Sequence, residues 1–237
     1  MNKDSIDYQH YFNIIKQSPI FSESSDDLLH TILNIFYVET WSKKKLYFHG
    51  EKTLKKFYIV VSGRIKVFKI NPETGNEYIL NINTTGDIFD VICLLDGKKH
   101  NIEMEALDDV VLLAAPIESV REWLIKHPEI NKTILPYLGK QIRLYEESAV
   151  DLALLNTWSR TIKLFIKHLD PTRHSSQLKL LNNLSHTELA YMIGSARNVL
   201  NKHLQKLKEE KIIKVDRTHI DIKNMQALLD KYKSEQE

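Results

Sequence analysis

The segment of residues 184–207 constrains the fold more than any other part of this 237-residue chain. Ser185 and Glu188 have the spacing of a capping box, which predicts that a helix begins there. Gly194 follows, and glycine supplies the positive φ that a tight turn between two helices needs. The pattern therefore predicts two short helices joined by a glycine turn, with Ser195 as the cap of the second helix.

The second helix carries polar side chains on the outward-facing part near its N-terminus, because Val199 or Leu200, Leu204 and Leu207 are predicted to face inward. Arginine can bind guanine O6 and N7, and asparagine can bind adenine N6 and N7. Each such pair contributes about 1–3 kcal/mol of discrimination. A helix of this kind is predicted to enter DNA, and its candidate contact residues are Ser195, Arg197, Asn198, Asn201, Lys202 and Lys206.

Charge supports a local DNA-binding face rather than a generally basic protein. The whole chain has 33 Lys and Arg against 31 Asp and Glu, a formal net charge of +2. Residues 197–217 contain seven Lys or Arg and three acids, a local excess of +4. A charge run is usually a solvated helix face, but the capping box and glycine turn beside it favour phosphate contacts and a salt-dependent affinity. Residues 212–215 and 219–222 then predict a two-stranded wing.

Residues 38–115 change to short segments rich in β-branched and aromatic residues, such as 57–61 and 65–70. Four of the seven glycines of the chain separate these segments, at Gly50, Gly63, Gly75 and Gly86. Regular turns between short strands predict an antiparallel roll or sandwich. Helical spacing at residues 5–16 and 24–36 predicts two short helices before it.

Residues 129–155 return to helical spacing, with apolar side chains at alternating steps of three and four. Such a stripe predicts a coiled-coil seam between two copies of the chain, although it could instead pack on its own roll. Pro136 predicts a break near Leu135, from which the seam would continue to Asn156. The candidate interface residues are Leu135, Leu138, Ile142, Tyr145, Ala149 and Leu152.

Several classes of protein are disfavoured. Cys93 is the only cysteine, which excludes an intramolecular disulfide framework and a multi-cysteine iron–sulfur or zinc site and fits the cytoplasm. No apolar run is long enough for a signal core or a membrane span. A jelly-roll metalloenzyme would need a His-x-His cluster that the roll lacks, and no nucleophile set, phosphate loop or paired carboxylates predict an enzyme.

Taken together, these elements resemble the cyclic-AMP receptor protein and fumarate–nitrate reduction regulator (Crp/Fnr) family over nearly the whole chain. The resemblance lies in the SPIF sequence at residues 18–21, Val61-Ser62-Gly63, Gly86-Asp87 and the helix pair of residues 184–207. It implies an α+β protein with a cyclic-nucleotide-binding-like antiparallel β-roll at 1–128, a dimerisation helix at 129–156 and a winged helix-turn-helix at 157–237.

The same resemblance implies a homodimer that binds palindromic double-stranded DNA, with half-sites about one helical turn apart. RNA polymerase is the implied partner and activation the commoner outcome in the family. By position, Arg197 resembles the guanine-reading arginine of the family, whereas Asn198 stands where many members carry glutamate. The preferred half-site is therefore expected to differ from theirs.

The effector site departs from the family. Members that bind cyclic AMP use a glycine–glutamate pair and an arginine–serine pair, and these positions correspond here to Asp90 with Val91 and to His100 with Asn101. Aspartate would repel the phosphate, valine cannot accept a ribose hydroxyl, and neutral histidine is a poor substitute for a bidentate arginine. An effector other than cyclic AMP is therefore predicted.

Three alternatives remain open for the roll: a haem-based gas sensor, another small metabolite, or a DNA-binding protein with no effector. Ten histidines leave candidate iron ligands, among them His100, His49 and His30 in or near the roll, together with Cys93. Each of these histidines is by itself more often an ordinary surface or loop residue. Cys93 lies in an apolar run and is expected to be a buried, unreactive thiol.

Overall fold

Short apolar segments, such as the buried run of residues 57–61, build the N-terminal half around two four-stranded antiparallel sheets. The computed structural model describes residues 6–44, 46–47, 53–169, 178–216 and 219–234. One sheet has the strand order β1-β8-β3-β6 and the other β2-β7-β4-β5. The strands are β1 Tyr37–Trp41, β2 Leu46–Tyr47, β3 Lys56–Ser62, β4 Ile65–Ile70, β5 Glu77–Asn83, β6 Ile88–Phe89, β7 Glu103–Ala106 and β8 Val110–Pro116. The predicted antiparallel roll is confirmed.

The roll encloses aromatic and branched side chains that are almost fully buried, including Trp41, Tyr58, Phe89 and Met104. Gly63 fixes the β3–β4 turn, since its φ is +85° and an added Cβ would lie 2.6 Å from the carbonyl oxygen of Asp109. Only glycine fits this position without displacing backbone.

Helices pack on the outer face of the β1-β8-β3-β6 sheet. They are α1 Ile6–Gln17, α2 Asp26–Leu33, α3 Val91–Asp96 and α4 Ile117–Lys126. Ser25 caps α2 by accepting a hydrogen bond from the backbone N–H of Leu28. The second helix is therefore shorter at both ends than residues 24–36, the span expected from its apolar spacing.

The long helix α5 runs from Asn131 to Leu154 without interruption, after a one-turn 3-10 helix at Pro128–Ile130. Pro136 lies inside α5, so the predicted break near Leu135 is wrong. Proline lacks the N–H that would bond to the carbonyl of Lys132, but one missing bond near the start of a 24-residue helix does not end it.

The C-terminal part is helical with a small wing. It contains α6 Thr157–Lys167, a one-turn 3-10 helix at Lys179–Leu181, α7 His186–Met192, α8 Arg197–Glu209, β9 Ile213–Val215, β10 Ile220–Ile222 and α9 Met225–Ser234. Strands β9 and β10 pair antiparallel, with Ile222 opposite Ile213, which confirms the predicted wing. Buried Ile162, Phe165, Leu200 and Leu207 belong to the core beneath it.

Two compact units divide the chain, one of Met1–Lys69 with Leu80–Arg143 and one of Ile70–Ile79 with Leu144–Glu237. Within the part of the chain that the structure describes, no helix is both long and apolar enough to cross a membrane.

Candidate nucleic-acid interface and sensor site

The first helix of the pair, α7, begins at the predicted capping box. The hydroxyl of Ser185 accepts a hydrogen bond from the backbone N–H of Glu188 at 3.2 Å. In return, the backbone N–H of Ser185 donates to Oε2 of Glu188 at 2.6 Å. Both bonds satisfy N–H groups that have no partner within the helix, so the start of α7 is fixed by local contacts.

Gly194 makes the turn between α7 and α8 with a φ of +60°. An added Cβ would lie 2.9 Å from Cδ2 of Leu152, so a side chain here would meet both backbone strain and a close neighbour. The backbone N–H of Ser195 then donates to the carbonyl of Ala190 at 2.9 Å, which closes the turn. The predicted glycine turn is confirmed.

Ser195 does not cap α8. The cap position is Ala196, which has no side chain that could accept a hydrogen bond. Asn198, in the first turn of the helix, accepts from the backbone N–H of Val199 through Oδ1 at 2.9 Å. The prediction of a serine cap is therefore wrong, because the turn after Gly194 is one residue longer than the prediction assumed.

The two faces of α8 divide as predicted. Leu200, Leu204 and Leu207 are buried, whereas Ser195 in the turn is half-buried and Val199 only partly covered. The other predicted contact residues are exposed: Arg197, Asn198, Asn201, Lys202 and Lys206.

Besides Asn198, two further predicted contact residues, Asn201 and Lys206, have partners within the protein. Nδ1 of His186 in the first turn of α7 donates to Oδ1 of Asn201 at 2.7 Å. The ammonium of Lys206 lies 4.5 Å from the ring centroid of Trp158, a cation–π contact that orients its side chain. The sequence pattern missed the role of His186, since only the folded turn brings residues 15 positions apart into contact.

The basic run continues from α8 into the wing. Lys208, Lys211 and Lys214 are exposed, whereas Arg217 lies outside the described residues. The acids of this run, such as Glu209 and Glu210, lie at the C-terminal end of α8, away from Arg197. Residues 195–206, all of which the structure describes, contain no Asp or Glu.

The sensor half has a polar pair at the predicted effector site. Asp90 precedes α3 in a left-handed conformation, with a φ of 58°, and its side chain is 0% exposed. Its Oδ1 lies 2.9 Å from Nδ1 of His100, whose side chain is 24% exposed. The fold thus joins one residue from each predicted pair. Val91 is buried, whereas Asn101 is exposed.

Burial and pairing act in opposite directions on the carboxyl of Asp90. Burial alone would raise its pKa, but the interactions that oppose burial, led by the hydrogen bond with His100, leave the pKa below its ordinary value. Asp90 is therefore a carboxylate at neutral pH. Smaller contributions from hydrogen bonds with Cys93 and Thr53 act in the same direction as His100.

Cys93 lies next to this pair, in α3. Its thiol contacts the hydroxyl of Thr53 at 3.7 Å and donates to the carbonyl of Lys98 at 3.0 Å. Burial, with the negative charge of Asp90, raises the pKa of Cys93 to about 11. The prediction that this thiol is buried is confirmed, and a raised pKa disfavours the reactive thiolate form.

The other candidate iron ligands differ in their surroundings. His30 is held by the hydroxyl of Tyr8 at 2.6 Å and lies against the ring of Phe12. His49 lies outside the described residues. Across the described ranges, no three His, Cys, Asp or Glu side chains converge as a metal site would require.

The stripe of α5 is largely uncovered in a single chain. Leu135 is 63% exposed, Ile142 66% and Tyr145 48%. Ala149 and Leu152 are also exposed, with Leu152 lying against Gly194. Leu138 differs, because it is partly buried against the sensor core.

Two family models match this chain. The cyclic nucleotide-binding domain matches residues 39–127, and the Crp-like helix-turn-helix domain matches residues 159–231. The chain belongs to the Crp/Fnr family. It is a DNA-binding transcription regulator of the Crp/Fnr type, as its resemblance to that family predicted.

Curated relatives agree with this assignment. A global nitrogen regulator from Synechocystis is 28% identical over 197 residues, which cover 81% of this chain and 86% of that protein. A CRP-like cAMP-activated global transcriptional regulator from Mycobacterium tuberculosis is 24% identical over 151 residues, 63% of this chain and 67% of the relative. Both are named as global regulators.

Solved structures support the fold. A CooA mutant from Carboxydothermus hydrogenoformans has a TM-score of 0.70 at 20% identity, covering 85% of this chain and 90% of that one. The c-di-GMP responsive global regulator CLP from Xanthomonas campestris has a TM-score of 0.69 at 16% identity, covering 84% and 99%.

Proposed function

We propose that this regulator acts as a homodimer that binds palindromic DNA and activates transcription through contact with RNA polymerase. The uncovered apolar stripe of α5 carries the dimer proposal. Leu135, Ile142 and Tyr145 are exposed large side chains on one helix, and a seam with a second copy would remove them from water. Two copies would present two α8 helices to successive major grooves.

Substitution within the stripe tests the dimer. Ile142→Glu with Tyr145→Glu should give monomers by light scattering and weaken binding to a paired site, because charges would be buried in the seam. These positions are better than Leu138, which packs on its own core. Arg143→Glu is the matched control, since Arg143 is exposed on the same helix but outside the stripe. An unchanged dimer mass in the double variant would refute the seam.

We infer further that the roll responds to an effector other than cyclic AMP. By resemblance, Asp90 occupies a position that contacts the nucleotide in cyclic-AMP-binding members, and its buried carboxylate would repel a phosphate. A buried carboxylate instead favours a ligand that donates a hydrogen bond. The relatives also differ in effector by name, as cAMP-activated and c-di-GMP responsive proteins.

Haem is a second candidate, favoured by one observation. The bond from His100 Nδ1 to Asp90 is the carboxylate–histidine arrangement that orients a metal-ligating imidazole and leaves Nε2 as the remaining ligand atom. Haem bound there would supply a gas-binding iron. Cys93 fits less well as a ligand, because its buried thiol already donates to the carbonyl of Lys98, and His30 already pairs with Tyr8.

One experiment distinguishes these candidates. Purified protein without added ligand, its absorption spectrum recorded beforehand, is used to select bound sequences from a random DNA pool. A palindrome with half-sites about one turn apart would support ligand-free binding by a dimer. Enrichment only after haem, with a Soret band that His100→Ala abolishes, would support haem. Enrichment that requires cyclic AMP would refute the effector proposal, and no enrichment with any ligand would count against the DNA-reading role of α8.

A further inference from the structure

The hydrogen bonds around α8 limit what its exposed face can offer to DNA. Arg197 and Lys202 are donors only, because guanidinium and ammonium groups have no acceptor atom. Asparagine normally offers both a donor and an acceptor, which is why it can bind adenine through N6 and N7 together. Whether it can do so here depends on the partner of its amide oxygen.

Both asparagine oxygens already have partners within the helix pair. Oδ1 of Asn198 accepts from the backbone N–H of Val199 at 2.9 Å. Oδ1 of Asn201 accepts from Nδ1 of His186 at 2.7 Å. Each bond turns the carbonyl oxygen toward the protein and leaves the amide N–H2 group for other partners.

We propose that these bonds, each of which takes up one of the two lone pairs of an amide oxygen, make the reading face of α8 a surface dominated by donors that favours bases with hydrogen-bond acceptors in the major groove. Guanine offers two acceptors, O6 and N7, and thymine offers O4, whereas adenine offers N7 beside the N6 amino donor and cytosine offers only the N4 amino donor. The amino groups of cytosine and of adenine would meet fewer free acceptors at Asn198 and Asn201. His186 is the positioning residue for Asn201, since it fixes the amide without itself contacting a base. The proposal rests on α8 reading DNA and names what α8 reads.

Many family members carry glutamate at the position of Asn198. The asparagine found here also reduces the number of acceptors on the exposed face of α8. A carboxylate at that position would accept from the amino group of cytosine, whereas an amide with its oxygen engaged cannot do so equally well. The acids of the basic run, Glu209 and Glu210, are more than ten residues away at the other end of α8. They cannot supply the missing acceptor near Arg197.

Selection from a random DNA pool by wild type, Asn201→Ala and His186→Ala tests the proposal. The base position whose preference is lost in Asn201→Ala is the one that Asn201 contacts. Wild type should favour guanine or thymine there at least about 5-fold over adenine and cytosine, and His186→Ala should erase that preference or move it toward adenine. Preferences at the other positions should remain.

Two further variants separate positioning from a general structural effect. His186→Asn can place an amide nitrogen near the position of Nδ1 and should restore the wild-type preference. Thr187→Ala, in the same turn of α7, should leave the profile unchanged.

Three outcomes would overturn the proposal. The first is wild-type enrichment of adenine or cytosine at the Asn201 position, and the second is an unchanged profile in His186→Ala. The third is a uniform loss of affinity with a weaker salt dependence, which would make His186 a phosphate contact. Failure of every protein to enrich any site, both without ligand and with haem or cyclic AMP, would instead count against DNA reading by α8 itself, a result that is distinct from these three.

Discussion

The sensor half and the DNA-binding half each contain a histidine that is hydrogen-bonded to a side-chain oxygen of Asp or Asn. The distances between nitrogen and oxygen in the two pairs are almost equal. His100 lies 2.9 Å from Asp90, and His186 lies 2.7 Å from Asn201. The first pair is largely enclosed, since the Asp90 side chain is fully buried, whereas Asn201 is exposed. Distance alone therefore does not indicate what such a pair does.

Burial decides the consequence. Removing one partner of a buried polar pair leaves a desolvated group without a hydrogen bond, so the fold loses stability. Removing one partner of an exposed pair lets water replace it, so the fold is nearly unaffected and only the orientation of a binding group changes. The first pair should respond in folding measurements and the exposed face of α8 in binding measurements.

The largest effect is expected at Asp90. Asp90→Ala should lower the free energy of unfolding by about 2–4 kcal/mol, because it removes the partner of His100 and leaves alanine in a left-handed conformation that aspartate tolerates better. Urea unfolding followed by circular dichroism measures this loss. Glu122→Ala, an exposed acid on α4, is the control.

If Asp90→Ala lowers the free energy of unfolding by less than about 0.5 kcal/mol, as Glu122→Ala should, the contrast between the buried and the exposed pair is wrong. Such a result would mean that solvent reaches Asp90 freely and that the site is open rather than enclosed. Asp90→Asn sharpens the test, since asparagine also tolerates the left-handed region and isolates the contribution of the charge.

The second effect is on binding. Arg197→Ala should weaken binding to the selected site by about 1–3 kcal/mol and relax one base position, because the guanidinium is expected to contact a guanine. Its unfolding free energy should stay within about 0.5 kcal/mol of wild type, since Arg197 is exposed. Titration of fluorescent DNA and urea unfolding measure the two quantities.

A uniform loss of affinity over all sequences would assign Arg197 to a phosphate. A loss of stability comparable to that of Asp90→Ala would contradict the assignment of the α8 face to binding alone.

The DNA-binding half could be predicted in more detail because its signals are local. Ser185 and Glu188 are three residues apart, and Gly194 requires its positive φ wherever the rest of the chain lies. The serine cap failed because the exact length of a turn is not encoded by residue type alone. The continuation of α5 through Pro136 was missed because packing around Ile134 and Leu138 outweighs one lost hydrogen bond.

Pairs that depend on tertiary packing could not be predicted in the same way. Asp90 and His100 were recognised as candidate positions, but only through resemblance, and their mutual contact depends on the loop after α3. His186 was not recognised at all, because neither its neighbours nor its spacing mark it. A structure was needed to find which side chains hold the reading residues in place.

His168, at the C-terminal end of α6, tests whether the contrast lies between the two halves or between buried and exposed groups. It belongs to the DNA-binding half, yet burial, with a smaller contribution from Lys167, lowers its pKa to about 4. An ordinary histidine has a pKa of about 6.5, so the unfolded chain binds a proton more readily than the folded one.

The contribution of neutral His168 to stability is therefore complete above pH 6.5 and is lost as the pH falls toward 4. The total loss over this range should be about 1–2 kcal/mol, less than the full shift implies because the ring is only partly enclosed. Urea unfolding at several pH values should show this decline in wild type and in His219→Gln, whose ring is exposed, but a flatter profile in His168→Gln. Parallel profiles for all three proteins would mean that His168 is solvated. In that case burial would affect a titratable group at Asp90 in the sensor half but not at His168 in the DNA-binding half, and the contrast would lie between the halves.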